Sequence, residues 1–367
     1  MRIFNIIQCA NLGGMEQSTL ALLSGLQARG HEVELLSLNP LGAMGPLLAE
    51  RAVPAAGLPY RGRGGWRSVS RLRARLRRVN SDALIMTGHN LLAMMALGGL
   101  CRDRRLLSIH FHHSGVKPAW QWRLIYRVAH ARFSAIAFPT DFIRYEAEAI
   151  CPAIKAISHT IGCPIALRKP PTAAERVSVR LALGIPPQAL IVGNAGWLIP
   201  RKRFDVFLKI ARVIATAEQR ALFAIAGDGP EAERLKRLAL ELGIADRVRW
   251  LGWQSEVTSF YRSLDLAVFN TDWDALGRTP LEALGAGVPV VASVLNGGLG
   301  EILNRENYGP VFTSHDVDRL GEVALAILRH PDAAASLVGA GQRRLAQVAS
   351  EKEYTDRVCR LLEGRTA

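Results

Sequence analysis

Short apolar runs alternate along the chain with stretches whose apolar positions recur every three or four residues, which predicts strand–helix–strand units around parallel sheets. IFNIIQC, VELLSL, ALIMTG, LLSIHF and AIAFP read as buried strands in the first half. LIVGNAG, LFAIAG, VRWLG, LAVFN and PVVAS repeat the scheme in the second. Amphipathic stretches such as 16–29 and 66–79 fall between them. The passage HTIGCPIALRKPPTAAER, rich in proline and small residues, separates the halves and puts a hinge near 163–175. The expected domains are 1–167 and 168–349, with a terminal helix over about 350–367 packing back on the first. Each half reads as a doubly wound α/β domain. Two such domains imply a cleft, with ligands at the carboxyl ends of the strands.

Composition narrows the class. The most apolar run, LLAMMALGGL, is about half of what spans a bilayer, and the N-terminus enters strand sequence with no secretory leader pattern. Five dispersed cysteines, Cys9, Cys101, Cys151, Cys163 and Cys359, fit reduced thiols in a cytosol rather than a disulfide or zinc framework. The net charge of +14 is lopsided: residues 1–170 hold 22 Lys/Arg against 9 Asp/Glu, the remainder 24 against 23. Eight arginines fall between Arg61 and Arg78 with no acid among them. Such a field attracts nucleic acid, anionic lipid or phosphorylated small molecules, and no nucleic-acid-binding signature accompanies it.

Several motifs carry chemistry. Gly13-Gly14, at a strand-to-helix turn, lets a ligand approach the backbone N–H groups of a helix opening near Glu16. NLGGMEQ is not a dinucleotide fingerprint, and Ser37 and Asn39 lie at the end of VELLSL in place of a ribose-holding acid, so a dehydrogenase is disfavoured. His110, His112 and His113 end a strand without a cysteine or carboxylate to complete a metal set; they read as histidines at the cleft mouth, with His89 a second candidate. Arg201, Lys202 and Arg203 follow LIVGNAG and suit a diphosphate or a solvated basic turn. Asp272-Trp273-Asp274 spells a D-x-D on an expected loop, with no supporting metal ligands. Thr279, Pro280 and Glu282 read as a capping box with proline at the first helical position, which accounts for Glu282 and leaves Asp274 unexplained.

Taken together, these motifs resemble the retaining glycosyltransferases of family 4. That family reads G-R-L…K-G, G-x-G-P, V-x-F-L-G and E-G-F-G-(x)4-E-A-(x)3-G-x-P-V-V-A in order. This chain has Gly196-Trp197-Leu198 with Lys202, Gly227-Asp228-Gly229-Pro230, VRWLG from Val248 to Gly252, and DALGRTPLEALGAGVPVVA from Asp274. The resemblance implies the GT-B fold, two Rossmann-like domains facing each other across a cleft. It implies that Glu282 holds the nucleotide ribose, that Asp274 binds the donor sugar, and that Lys202 neutralises the diphosphate, with Arg201 a further donor-binding residue. Gly277, Arg278 and Thr279 would offer N–H groups to the phosphates, and Leu251 would read the base. Gly13 and Gly14 would close over the donor, Gly196 would line it, and His110 would stand on the acceptor side.

The implied reaction is transfer from a UDP- or GDP-linked sugar to a saccharide or lipid-linked acceptor in cell-envelope or exopolysaccharide synthesis. Configuration would be retained and no metal required. The alternative is a GT-B-like binding or scaffold protein without turnover. Two departures stand out: the family's first acid, usually Glu, is Asp274, and its arginine after the glycine is Trp197. WRSVSRLRARLRRV and KPAWQWRLIYRVAHARF, with Trp120, Trp122 and Tyr126 among cations, suit an anionic membrane or a solvated face. A cytoplasmic protein peripheral on the inner leaflet is the expectation.

Overall fold

The computed structural model describes residues 1–11, 13–58, 66–97, 105–108, 117–254, 256–304, 306 and 308–365, with 66–68 and 105–108 described by backbone alone. Contacts divide the chain into two units, Met1–Pro164 with Glu351–Ala367, and Ile165–Ser350. The first holds seven strands: β1 (Arg2–Ile7), β2 (Glu32–Ser37), β3 (Ala55–Gly57), β4 (Ala83–Thr87), β5 (Arg105–Ser108), β6 (Ala135–Phe138) and β7 (Ser158–Thr160). The second holds six: β8 (Leu190–Ala195), β9 (Ala221–Ala226), β10 (Val248–Gly252), β11 (Leu266–Asp274), β12 (Val290–Gly297) and β13 (Val311–Phe312). Spatial order is β3-β2-β1-β4-β5-β6-β7 and β10-β9-β8-β11-β12-β13. Among the described strands every pairing is parallel. Both sheets therefore reverse their winding once, between β1 and β4 and between β8 and β11, where a doubly wound sheet opens a crevice.

The ten strands expected from apolar runs are present. The three not expected, β3, β7 and β13, are sheet edges of two or three residues, too short to carry an apolar run. Ile3, Ile7, Leu35 and Ile85 form a core in the first unit with Leu23 and Leu26 of helix Gly14–Gln27. The terminal helix Glu351–Leu362 adds Tyr354, Val358 and Leu361, and Arg29 holds Asp356 at 2.5 Å. In the second unit, helices Phe204–Ala217 and Val317–Arg329 cover Val192, Phe223, Ile225, Val268 and Val291. Their close approach depends on Gly321, where an added Cβ would lie 2.6 Å from Val213.

One local expectation is overturned. Asp272-Trp273-Asp274 is not a loop: β11 continues through Asp274, pairing Thr271 with Val294 and Asp274 with Gly297 on β12. The neighbouring strand is equally long there, so the ladder outlasts the apolar run that signalled it.

Candidate active site

At the winding reversal of the second unit, β8 and β11 pair only through Leu266–Val192 and Ala267–Gly193. Beyond that point β8 turns away through Gly196 (φ +148) into a one-turn 3-10 helix, Pro200–Lys202. This turn is fastened to β11 residue by residue. The Thr271 hydroxyl donates to the Arg201 carbonyl at 2.9 Å, and the Arg201 guanidinium donates to the Trp273 carbonyl at 3.0 Å. The Lys202 ammonium pairs with Asp274 Oδ2, and Arg203 donates to Asp272 Oδ1 at 2.9 Å.

Asp274 is the centre of this set. Its other oxygen accepts the N–H groups of Gly277 at 2.9 Å and Leu276 at 3.2 Å. Burial acts to raise its pKa, but the Lys202 charge and these hydrogen bonds outweigh burial and hold the carboxyl below the ordinary range. The Asp274 carboxyl is therefore ionised at neutral pH, and the side chains of Asp274 and Lys202 are only 15% and 14% exposed.

Arg203 sits at φ +44, ψ +43, a left-handed conformation that a residue with a Cβ adopts at a cost. Two carboxylates hold it there, Asp205 at 3.0 Å and Asp272. Asp272 extends the network to His315 Nε2 at 3.1 Å, His315 Nδ1 to Ser293 at 2.7 Å, and Ser293 to Asn270 at 2.7 Å. The direction follows from donors. The Asp272 carboxylate can only accept, so Nε2 carries the proton, Nδ1 of the neutral ring accepts from the Ser293 hydroxyl, and the Ser293 oxygen accepts from the Asn270 amide N–H. Burial lowers the His315 pKa despite Asp272, which keeps the ring neutral in this tautomer.

Helix Arg278–Gly285 starts beside Asp274. Gly277 precedes it at φ +76, where an added Cβ would also press Leu299 at 3.3 Å. The capping box expected at Thr279 and Glu282 is not formed: Gly277 caps the helix, and Pro280 stands third in it. Proline is tolerated there because the first-turn N–H groups have no partner within the helix. Glu282 instead pairs one turn back with Arg278 at 2.8 Å and accepts from the Tyr261 hydroxyl at 3.4 Å. Tyr261 is fully buried, and burial together with the Glu282 charge pushes its pKa well up, so it remains a donor. Thr279 reaches back to the Ala195 carbonyl at 3.3 Å. Leu251 lies on β10, its carbonyl accepting from Gln254 at 2.7 Å.

The structure thus gathers Gly196, Arg201, Lys202, Asp274, Gly277, Arg278, Thr279 and Glu282 at the ends of β8 and β11, with Leu251 on β10. In the first unit, Gly13 caps helix Gly14–Gln27, which opens two residues earlier than expected, and its N–H donates to Glu16 at 3.1 Å. His110, with His112 and His113, lies outside the described residues. His89 packs its ring 4.8 Å from Trp122, and burial, then Lys117, lowers its pKa to about 4. Trp122 and Tyr126 are fully buried and unavailable to a membrane; Trp120 and Leu124 remain exposed. Tyr261, His315 and Trp253 carry no sequence signal, since none falls in a motif and each is placed only by folding. Among the described residues no cluster of His, Cys, Asp or Glu is placed to hold a metal, and no helix is long and apolar enough to cross a membrane.

Two family models match: "Glycosyl transferases group 1" over residues 178–344 and "Glycosyltransferase Family 4" over 12–168. Among curated proteins, the lipopolysaccharide core biosynthesis glycosyltransferase LpsD of Rhizobium meliloti is 34% identical over 48% of this chain and 50% of its own. The mannosyltransferase LpsB of the same organism is 32% identical over 42% and 46%. The chain thus spans about half the length of the curated relatives it matches. Among solved structures, Anabaena HepE in complex with UDP and glucose superposes with a TM-score of 0.84 at 17% identity, covering 99% of this chain and 100% of that one. WaaG, a glycosyltransferase involved in lipopolysaccharide biosynthesis, gives 0.74 at 16%, covering 99% and 100%. These likenesses show the GT-B fold.

Proposed function

The chain belongs to the family 4 glycosyltransferases, and from that premise we propose that it transfers a sugar from a nucleotide diphosphate to a saccharide or lipid-linked acceptor of the cell envelope. Lipopolysaccharide core is the acceptor class suggested by the names of its relatives. The observation that carries the reading is the buried Lys202–Asp274 pair at the winding reversal of β8 and β11. It sets a cation for the departing diphosphate beside a carboxylate for sugar hydroxyls. The start of helix Arg278–Gly285 supports the same assignment with the positive end of its dipole.

In this reading the scissile bond is the one between the sugar and its phosphate. As it breaks, charge grows on the diphosphate, and Lys202 and the helix start stabilise it more than they stabilise the intact donor. Glu282 takes the ribose hydroxyls, held by Arg278 and Tyr261, and Leu251 presents backbone to the base. Transfer occurs on the same face, with the leaving phosphate accepting the acceptor's proton, so configuration is retained without a metal.

Glu282→Ala is expected to cut transfer sharply while the protein stays folded. The donor is identified by thermal shift with UDP-, GDP- and ADP-sugars, since ligand bound to the native state raises Tm. Donor binding with neither transfer nor hydrolysis for any acceptor tried would instead favour a scaffold role.

The basic surface supports docking on an anionic membrane. Helix Trp66–Leu76 buries Val69, Leu72 and Leu76 and exposes Arg71, Arg73 and Arg75. Sedimentation with vesicles should show binding to anionic lipid that salt removes. Equal, salt-insensitive binding to neutral vesicles would sink the idea.

A further inference from the structure

Two tryptophans stand in the open at the carboxyl edge of the second sheet. Trp197 is 57% exposed and Trp253 45%, whereas Trp122 and Trp273 are buried. Trp197 follows β8 and Trp253 follows β10, yet their rings meet with centroids 4.7 Å apart at 41°. The strand between them, β9, ends in the turn Gly227–Pro230, which is kept low: a Cβ on Gly227 would collide with the Gly196 carbonyl. Trp197 is pinned on both sides of its backbone, because Gly196 N–H donates to the Ala226 carbonyl at 3.0 Å and Leu198 N–H to the Asp228 carbonyl at 2.9 Å. Trp253 is set by Gly252, at φ +64, and by the Gln254 side chain closing on the Leu251 carbonyl. The rings are therefore presented on an ordered backbone.

We propose that Trp197 and Trp253 form an aromatic platform for the nucleobase of the donor, so that Trp197, which replaces the family's phosphate-binding arginine, contributes stacking instead of charge. The proposal rests on the nucleotide-sugar reading. The platform lies on the same edge as Lys202 and Asp274, and β10 is two strands, about 10 Å, from β8. That separation suits a ribose between diphosphate and base. A flat π-system gains from an indole face, and the adjoining Leu251 backbone is placed to meet the base edge.

The test is a titration of intrinsic tryptophan fluorescence, checked by calorimetry, with UDP, GDP, ADP and inorganic pyrophosphate. It compares wild type with Trp197→Ala, Trp253→Ala and the corresponding Phe variants. The preferred nucleoside diphosphate should bind each Ala variant about 5- to 100-fold more weakly. Pyrophosphate affinity should stay within about twofold and the Phe variants should recover most of the loss, as stacking without charge requires. Nucleotide affinity unchanged in both Ala variants would overturn the platform and leave the donor site standing. So would equal loss for nucleotide and pyrophosphate, or a defect confined to the acceptor KM. Wild type that binds none of the nucleotides would remove the nucleotide-sugar reading and the platform together.

Discussion

Asp274→Asn separates the charge of the central carboxylate from its shape. The amide oxygen can still accept from Gly277 and Leu276, so the start of helix Arg278–Gly285 should survive. What is lost is the partner of a Lys202 ammonium that is only 14% exposed. An ion left unpaired in such a place costs about 3 kcal/mol, the low end of the range for buried pairs because some water reaches it. For a unit the size of Ile165–Ser350, each kcal/mol moves Tm by about 2–4 °C, so the unliganded variant should melt about 6–12 °C below wild type.

The ligand response should run the other way. On the proposed reading, a diphosphate in wild type must share Lys202 with Asp274, whereas in the variant it supplies the ammonium with an anionic partner and no longer competes with Asp274 for it. At about 100-fold excess over Kd, UDP adds about 2.7 kcal/mol to a native state that binds it. In Asp274→Asn the same UDP concentration should raise Tm further than in wild type, while transfer falls. Differential scanning fluorimetry with and without UDP, alongside a transfer assay, reads all three quantities. A variant melting within 2 °C of wild type, or UDP shifting both proteins equally, would refute the reasoning, and Asp274→Glu should restore the stability but not the sugar geometry.

Stability should fall on acidification because His89 is buried neutral. Its folded pKa of about 4 lies below the ordinary 6.5, so the unfolded chain binds the extra proton, and stability declines as pH drops through that window. By pH 4 the loss is about 3 kcal/mol, and His89→Phe should flatten this part of a Tm-against-pH curve. At Arg203, both Ala and Gly remove the ion pairs to Asp205 and Asp272, but only Gly relieves the left-handed backbone. Arg203→Gly should therefore melt higher than Arg203→Ala, by the equivalent of about 1 kcal/mol in chemical denaturation, and the reverse order would remove the strain argument. Asp272→Asn should leave His315 with a poorer acceptor and lower the stability of the unit, with chemical-shift changes at the His315 ring reporting the altered tautomer balance.

The strands of both units were readable because a strand covered on both faces has to be apolar almost throughout, and ten such runs stood out from polar surroundings. What escaped was structure that burial does not dictate. The edges β3, β7 and β13 need no apolar run, and the last residues of β11 are polar while still hydrogen-bonded to β12. The start of helix Arg278–Gly285 was misplaced for a related reason. Thr279 and Glu282 have the spacing of a cap, but Gly277 takes the left-handed turn, and Asp274 ties the turn that precedes it. The cap is built by a backbone conformation and a residue outside the helix, neither of which the Thr–Glu spacing encodes.

The same polar end of β11 explains why the basic turn looked ambiguous in sequence. Arg201, Lys202 and Arg203 could be solvated or could wait for a diphosphate; the fold does neither with them alone. Leu266 and Val268 face the core, and continuing that alternation puts Asn270, Asp272 and Asp274 along the same face as it leaves the core. Arg203 and Lys202 meet the last two of these, and Arg201 meets the carbonyl between them. The cations are thereby placed by two carboxylates and a carbonyl of β11 before any donor arrives. In the proposed reading a diphosphate binds by exchange, taking Lys202 from Asp274 and freeing that carboxylate for sugar hydroxyls. On this account the pairing that stabilises the unliganded unit and the recognition of the donor depend on the same two side chains, so donor binding is coupled to opening of the Lys202–Asp274 pair.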